Sequence, residues 1–295
     1  MPHTIADHPQ VRALIDVGLA EDLPYGDLTT EAVLKGTEYA EAVARAKARG
    51  VVAGLPVFRA VFERVDPGLG FEPLCDEGDH VEPGGAVAQV AGCAASILRA
   101  ERLALNFLQH MSGIATATFE MVKAVSGTGA RIVDTRKTVP GMRAPAKYAV
   151  RMGGGLNHRF GLSDGVLIKD NHIHACGSIR DAVERARARA PHLTRVEVEC
   201  ALLEQVPEAL DAGADAVLLD NMSPEMLRKA VALVGGRAIT EASGGVSLSS
   251  VRAIAETGVD LISCGAITHS APALDIALIF EDPEPPAERR LQRAR

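Results

Sequence analysis

Apolar positions recur along this chain at two different periods. PQVRALIDVGLAEDL carries Val11, Leu14, Ile15 and Leu19 on one stripe, which predicts an amphipathic helix. PYGDLTT reads as a turn followed by a cap. In YAEAVARAKARGVVAGLPV apolar residues alternate with polar ones before a glycine break, so strand and helix readings compete. CDEGDHVEPGGAVAQVAG sets short apolar pairs between Gly/Pro turns and predicts a small β unit. ILRAERLALNFLQHMSGIATATFEMVKAV is a long helical pattern, and Ser112-Gly113 predicts its division into two helices.

From Arg131 onward a short apolar run repeatedly ends in polar residues and gives way to a helical segment. The runs are RIVDT, GVLIKDN, RVEVEC, AVLLDNM, AITEASGG and LISCGAIT. Two intervening helices have readable starts: Ser178 with Asp181 at capping-box spacing, and Ser223-Pro224-Glu225 as cap, proline and acid. Strand–helix units in series predict a parallel α/β structure. A closed barrel fits better than a doubly wound sheet, because a polar residue ends every strand and no GxGxxG marks a dinucleotide crevice.

Composition narrows the setting. With 295 residues and 47% hydrophobic content the chain can bury a large core in a barrel with an added domain. A net charge of −7 argues against a general nucleic-acid or membrane-surface binder. The odd set Cys75, Cys93, Cys176, Cys200 and Cys264 contains no CxxC, as expected of reduced thiols in the cytoplasm. MPHTIADHPQ lacks the character of a signal peptide, and no segment has the apolar length of a membrane span. The tail EDPEPPAERRLQRAR predicts a frayed end.

Local charge changes the picture again. Between Arg136 and Lys169 stand Arg136, Lys137, Arg143, Lys147, Arg151, Arg159 and Lys169 against one acid, Asp164, which predicts a focused anion site. Barrel geometry would gather Arg136, Lys137, Lys169, Glu199, Asp220 and Ser243 at one face. Glu197 alternates with Glu199 and could point the same way. Ser243-Gly244-Gly245 and Gly265-Ala266 each lie between a strand and a helix, where small residues let an anion approach backbone N–H groups. Arg forks suit planar carboxylates. His158-Arg159, behind three glycines, joins the candidate ligand contacts, while His172 and His174, two apart on a loop, lack a third soft ligand for zinc.

DTRKTVPGMRAPAKYAVRMGGGLNHRFGLSDGVLIKDNHI closely resembles the quinolinate phosphoribosyltransferase family. ERLALNFLQHMSGIAT, VEVEC, LLDNM, EASGGV and GVDLISCGAITHS follow in the family's order, from about EDLPYGDLTT to GAITHS. Met142 stands where the family leads one to expect leucine. The resemblance implies an N-terminal α/β sandwich domain (1–112), an incomplete, six-stranded α/β barrel (113–275) and a C-terminal segment (276–295) returning to the first domain. It implies a homodimer or larger assembly that converts quinolinate and phosphoribosyl pyrophosphate, with Mg2+, to nicotinate mononucleotide, pyrophosphate and carbon dioxide. Carried over residue by residue, it implies that Arg136, His158, Arg159 and the partner subunit's Arg102 meet quinolinate, with Thr135 also in the substrate site. Lys137 and Lys169 would lie between quinolinate and pyrophosphate. Glu199 and Asp220 would hold ribose hydroxyls and orient magnesium, directly or through water. Ser243, Gly244, Gly245, Cys264, Gly265 and Ala266 would cradle the 5-phosphate.

Two other classes compete. Lys169 at a strand end could form a Schiff base, as in barrel aldolases, though nearby Asp170 disfavours the low pKa this needs. A catalytically silent anion-binding paralogue would have lost a strand-end carboxylate or lysine, and none is lost.

Overall fold

The computed structural model describes residues 4–281, so the expected frayed tail lies, beyond Glu281, outside the described residues. The chain forms two compact units. One runs to Ala115 and resumes at Pro272; the other is Thr116–Ala271.

The first unit is an α/β sandwich. A short 3-10 turn, Ile5–Asp7, leads into α1 (Pro9–Asp22), and α2 (Leu28–Val33) follows. The His8 imidazole caps α1 and Pro9 opens it, while Val11 and Ile15, one turn apart, are buried. The Asp27 side chain caps α2 by accepting from the Thr30 amide. Next come β1 (Tyr39–Ala46), β2 (Gly50–Val51), α3 (Leu55–Val65), β3 (Gly70–Pro73), β4 (His80–Val81) and β5 (Ala86–Cys93). The contested YAEAVARA segment is β1. Pairing on both edges, with β5 and with β12 (Ile276–Phe280), overrides its alanine-rich helix propensity. The sheet order is β12-β1-β5-β3, with β2 and β4 a separate antiparallel pair.

The long helical pattern is one helix, α4 (Ala94–Ala124), and not two. The Ser112 hydroxyl bonds backbone N–H and C=O of Ala53, leaving the helix ladder intact. Gly113 serves close approach: a Cβ there would lie 2.1 Å from the Pro272 carbonyl oxygen.

All six expected strands of the second unit form: β6 (Arg131–Val133), β7 (Val166–Ile168), β8 (Val196–Cys200), β9 (Ala216–Asp220), β10 (Ile239–Ser243) and β11 (Leu261–Ser263). Between them run α5 (Arg143–Met152), α6 (Asp170–Cys176), α7 (Ile179–Arg189), α8 (Gln205–Asp211), α9 (Pro224–Val234) and α10 (Val251–Ala255), with α11 (Ala266–His269) last. Ser178 and Ser223 cap α7 and α9 through their hydroxyls. The sheet is parallel in the order β6-β11-β10-β9-β8-β7. Consecutive strands pair and the last returns to the first, which is barrel topology; among the described residues only the β6–β7 seam is unpaired, so the barrel is incomplete. At that seam Leu156 lies along the free edge of β6, taking its N–H to Ile132 O (2.9 Å) and accepting from Asp134 N (3.1 Å). Gly155 permits this, because a Cβ there would meet Thr118 at 2.7 Å and Val150 at 2.9 Å.

Candidate active site

Strand periodicity and register decide which side chains face inward. Glu199 pairs in register with Leu218, and Leu218 with Glu241, so Glu197, Glu199, Asp220, Glu241 and Ser243 share the inner face. Lys169, just past β7, joins them: its ammonium donates to Glu199 Oε2 at 2.7 Å, with Lys169 half exposed and Glu199 largely covered.

Asp220, at the end of β9, accepts from Asn221 Nδ2 at 2.8 Å. Asn221 has φ 53°, a left-handed backbone, and its amide bonds Ser243 O at 2.8 Å. Gly244 follows with φ 95°; a Cβ there would strike Asn221 Oδ1 at 2.1 Å. Gly245 is also left-handed, at 60°. The loops after β9 and β10 are thus locked together around small residues.

The loop after β6 carries Thr135, Arg136 and Lys137. Thr135 Oγ1 accepts from the Lys137 amide (3.0 Å), and Thr268 Oγ1 from the β11 side donates to Lys137 O (2.8 Å). The Lys137 stem passes over Gly265, where a Cβ would lie 3.0 Å from it and 3.3 Å from the His269 ring. His269 is a neighbour of this loop that sequence reasoning did not single out. Cys264 is a wall residue: its N–H bonds Val133 O, its thiol contacts Val246 O, and burial raises its pKa. Arg136 Nε is buried without a hydrogen-bond partner among the described residues.

The seven-cation count overstated the free positive charge. Lys147 is buried and bonded to Asp134, an acid two residues before the counted segment. Arg143 bridges the loops, donating to Thr138 Oγ1 (3.3 Å), Phe160 O (3.3 Å) and Arg136 O (3.1 Å). Arg151 lies 5.8 Å over the Tyr148 ring. Arg136 and Lys137 remain on the loop after β6, Lys169 just past β7, and Arg159 in the segment between α5 and β7. Arg159 donates to Gly165 O at 3.0 Å; burial and then the nearby Arg136 charge lower its pKa. Arg102 is exposed on α4 in the first unit. His172 and His174 lie on α6, not on a loop, and His172 Nδ1 accepts from the Lys169 amide at 2.9 Å.

His158 points into the barrel, where Nε2 meets Glu197 Oε2 at 3.2 Å and Glu241 Oε2 at 3.7 Å. Its Nδ1 accepts the Arg159 amide at 2.7 Å, so the proton of the neutral ring sits on Nε2, facing Glu197. That hydrogen bond raises the His158 pKa, and burial opposes it. Glu241 is pushed up to about 7, first by burial and then by Glu197. Three ligand atoms within 4.8 Å of one another could in principle hold a metal ion. Among them, the His158 Nε2–Glu197 Oε2 hydrogen bond at 3.2 Å already joins two of the three. Sequence reading missed Glu241; the signal was its inward register with Ser243 in ITEAS.

A barrel whose strand ends and seam carry Arg136, Lys137, Arg159 and Lys169, the carboxylates of Glu199 and Asp220 and a doubly left-handed glycine loop defines an α/β-barrel enzyme for anionic substrates. The chain belongs to the quinolinate phosphoribosyltransferase family: the model of that family's C-terminal domain matches residues 114–279 and that of its N-terminal domain 27–112. It is 43% identical over 272 residues to a probable nicotinate-nucleotide pyrophosphorylase (carboxylating) of Bacillus subtilis, covering 92% of this chain and 94% of that one. A nicotinate-nucleotide pyrophosphorylase (carboxylating) of Mycobacterium leprae is 44% identical, over 90% and 96% of the two chains. Among solved structures, the nicotinate-nucleotide pyrophosphorylase of Francisella tularensis superposes with a TM-score of 0.90 at 38% identity, covering 95% of this chain and all of that one.

Proposed function

We infer that the chain transfers phosphoribosyl from phosphoribosyl pyrophosphate to quinolinate with loss of carbon dioxide, the nicotinate mononucleotide-forming step of NAD biosynthesis. The observation that carries this reading is the pairing of a cationic cluster at the barrel's seam with strand-end carboxylates and a glycine loop. In it, Arg136 and Arg159, with Thr135 and His158 beside them, hold the two carboxylates of quinolinate. The buried, unpartnered Nε of Arg136 supports an anionic ligand there. His158 already has both ring nitrogens engaged, so it contributes chiefly by fixing Arg159. Lys137 and Lys169 face the pyrophosphate, Glu199 and Asp220 the ribose hydroxyls, and Ser243–Gly245 with Gly265-Ala266 the 5-phosphate; Cys264 backs that loop.

The pyridine nitrogen attacks C1 of the ribose as the C1–O bond to pyrophosphate breaks, through an oxocarbenium-like state. The protein contributes alignment and cations for the leaving group. The bond from C2 to its carboxylate then breaks, its electron pair stays at C2 beside the pyridinium, and a proton replaces the carbon dioxide released. Glu199 and Asp220 offer only oxygen donors, the set magnesium takes, and a bound Mg2+ would neutralise charge on the pyrophosphate.

The proposed assembly is a homodimer in which Arg102 of one protomer reaches its partner's site. Arg102 is exposed on α4, as a residue that reaches a partner's site must be. Five free thiols suit the cytoplasm, and no helix among the described residues is long and apolar enough to cross a membrane.

The test is release of pyrophosphate and carbon dioxide from quinolinate, phosphoribosyl pyrophosphate and Mg2+, with nicotinate in parallel. Equal release of both products with quinolinate, and little turnover of nicotinate, is expected. Pyrophosphate from nicotinate alone would move the substrate, and silence with both would end the reading.

A further inference from the structure

Asp134 is fully buried and Lys147 nearly so. Their ion pair lies where β6 ends and the seam segment Leu156–Arg159 passes. Five hydrogen bonds converge there. Lys147 Nζ donates to Asp134 Oδ1 and to His158 O (2.9 Å); the His158 amide donates to Asp134 Oδ1 (2.8 Å). Asn157 Nδ2 donates to Asp134 Oδ2 (2.7 Å) and to Lys147 O (2.9 Å). His158 is therefore gripped at both its N–H and its C=O, one residue before Arg159. Asp134 stands two residues before Arg136.

We propose that Asp134, Lys147 and Asn157 form a positioning unit that holds Arg136 and Arg159 at the separation that grips both carboxylates of the pyridine substrate. The inference rests on the reading above, in which those two arginines bind quinolinate. Two guanidinium groups repel and spread apart unless their backbones are fixed. A second strap supports this: Arg143 ties Arg136 O to Phe160 O, joining the same two loops from the other side. The Asp134–Lys147 contact by itself adds little stability. A buried ion pair can usually be replaced by apolar residues of similar volume with little loss of stability. What apolar residues cannot do is direct hydrogen bonds to the His158 peptide and the Asn157 amide.

The experiment compares three variants of the full chain, D134L/K147M, N157L and R159A. It measures denaturation midpoint, kcat, and KM for quinolinate and for phosphoribosyl pyrophosphate separately. The expected result is that D134L/K147M and N157L each raise the quinolinate KM about tenfold or more, with the phosphoribosyl pyrophosphate KM changed less than about twofold. D134L/K147M leaves the His158 N–H and C=O and one Asn157 contact without these partners, so a lowered denaturation midpoint is expected and its kinetics are read on the folded protein. A normal quinolinate KM in folded D134L/K147M, or equal effects of N157L on both KM values, overturns the proposal. Should the double variant not fold, N157L decides alone. R159A separates the two claims. If its quinolinate KM is unchanged, the carboxylate-binding reading itself fails; if that KM rises while N157L behaves as the parent, only the positioning unit fails.

Discussion

Arg136 and Glu241 show how differently two charged groups act in one barrel. Arg136 has a shielded Nε with no hydrogen-bond partner among the described residues, so its strength is available to a ligand. Replacing it by alanine should remove a charge-assisted fork at a cost of about 2–5 kcal/mol, read as a rise of about thirtyfold or more in the quinolinate KM. An unchanged KM would sink that assignment. Glu241 faces Glu197, His158 and Asp134 at only 2% exposure, and its pKa is raised from 4.5 to about 7. The folded state thus binds this proton more tightly than the unfolded chain does. Its contribution to stability is full below about pH 4.5 and is lost as pH rises through about 7. The raised pKa of His158 acts in the same direction. Urea denaturation at pH 5 and pH 8 should show the parent losing more stability with rising pH than E241Q. A steeper loss in E241Q would contradict the assignment.

At the scale of elements, α4 shows tertiary packing overruling a local signal. Gly113 reads as a break in sequence, because glycine costs a helix about 1 kcal/mol relative to alanine. The helix nonetheless continues, and the glycine admits the Pro272 backbone against its side. Propensity alone predicts that G113A stabilises. The 2.1 Å approach predicts the opposite, a loss of about 1–3 kcal/mol from overpacking against backbone, measurable by chemical denaturation. The same contest explains why β1 is a strand and why not all seven cations stay free for a ligand. Lys147 looks like its neighbours in sequence, and only α5's packing turns it onto Asp134.

For the whole molecule, the proposed sharing of sites makes activity a property of the dimer. R102A and K169A should each be nearly inactive alone. Mixed under conditions that exchange subunits, they should recover about a quarter of the parent activity, since half the dimers are mixed and each has one intact site. No recovery despite demonstrated exchange would place Arg102 in its own protomer's site or in none.

The sequence by itself determined the six strands, the polar residue ending each and the glycine loop after β10, since alternation, capping and chain punctuation are local properties. The long motifs carried the family for the same reason. The inward cluster of His158, Glu197 and Glu241 and the Asp134–Lys147–Asn157 unit join residues far apart in sequence. No local period records such meetings. Tertiary structure alone decided which charges are satisfied within the protein and which remain for substrate, because burial and partnership arise only when distant strands close into one barrel.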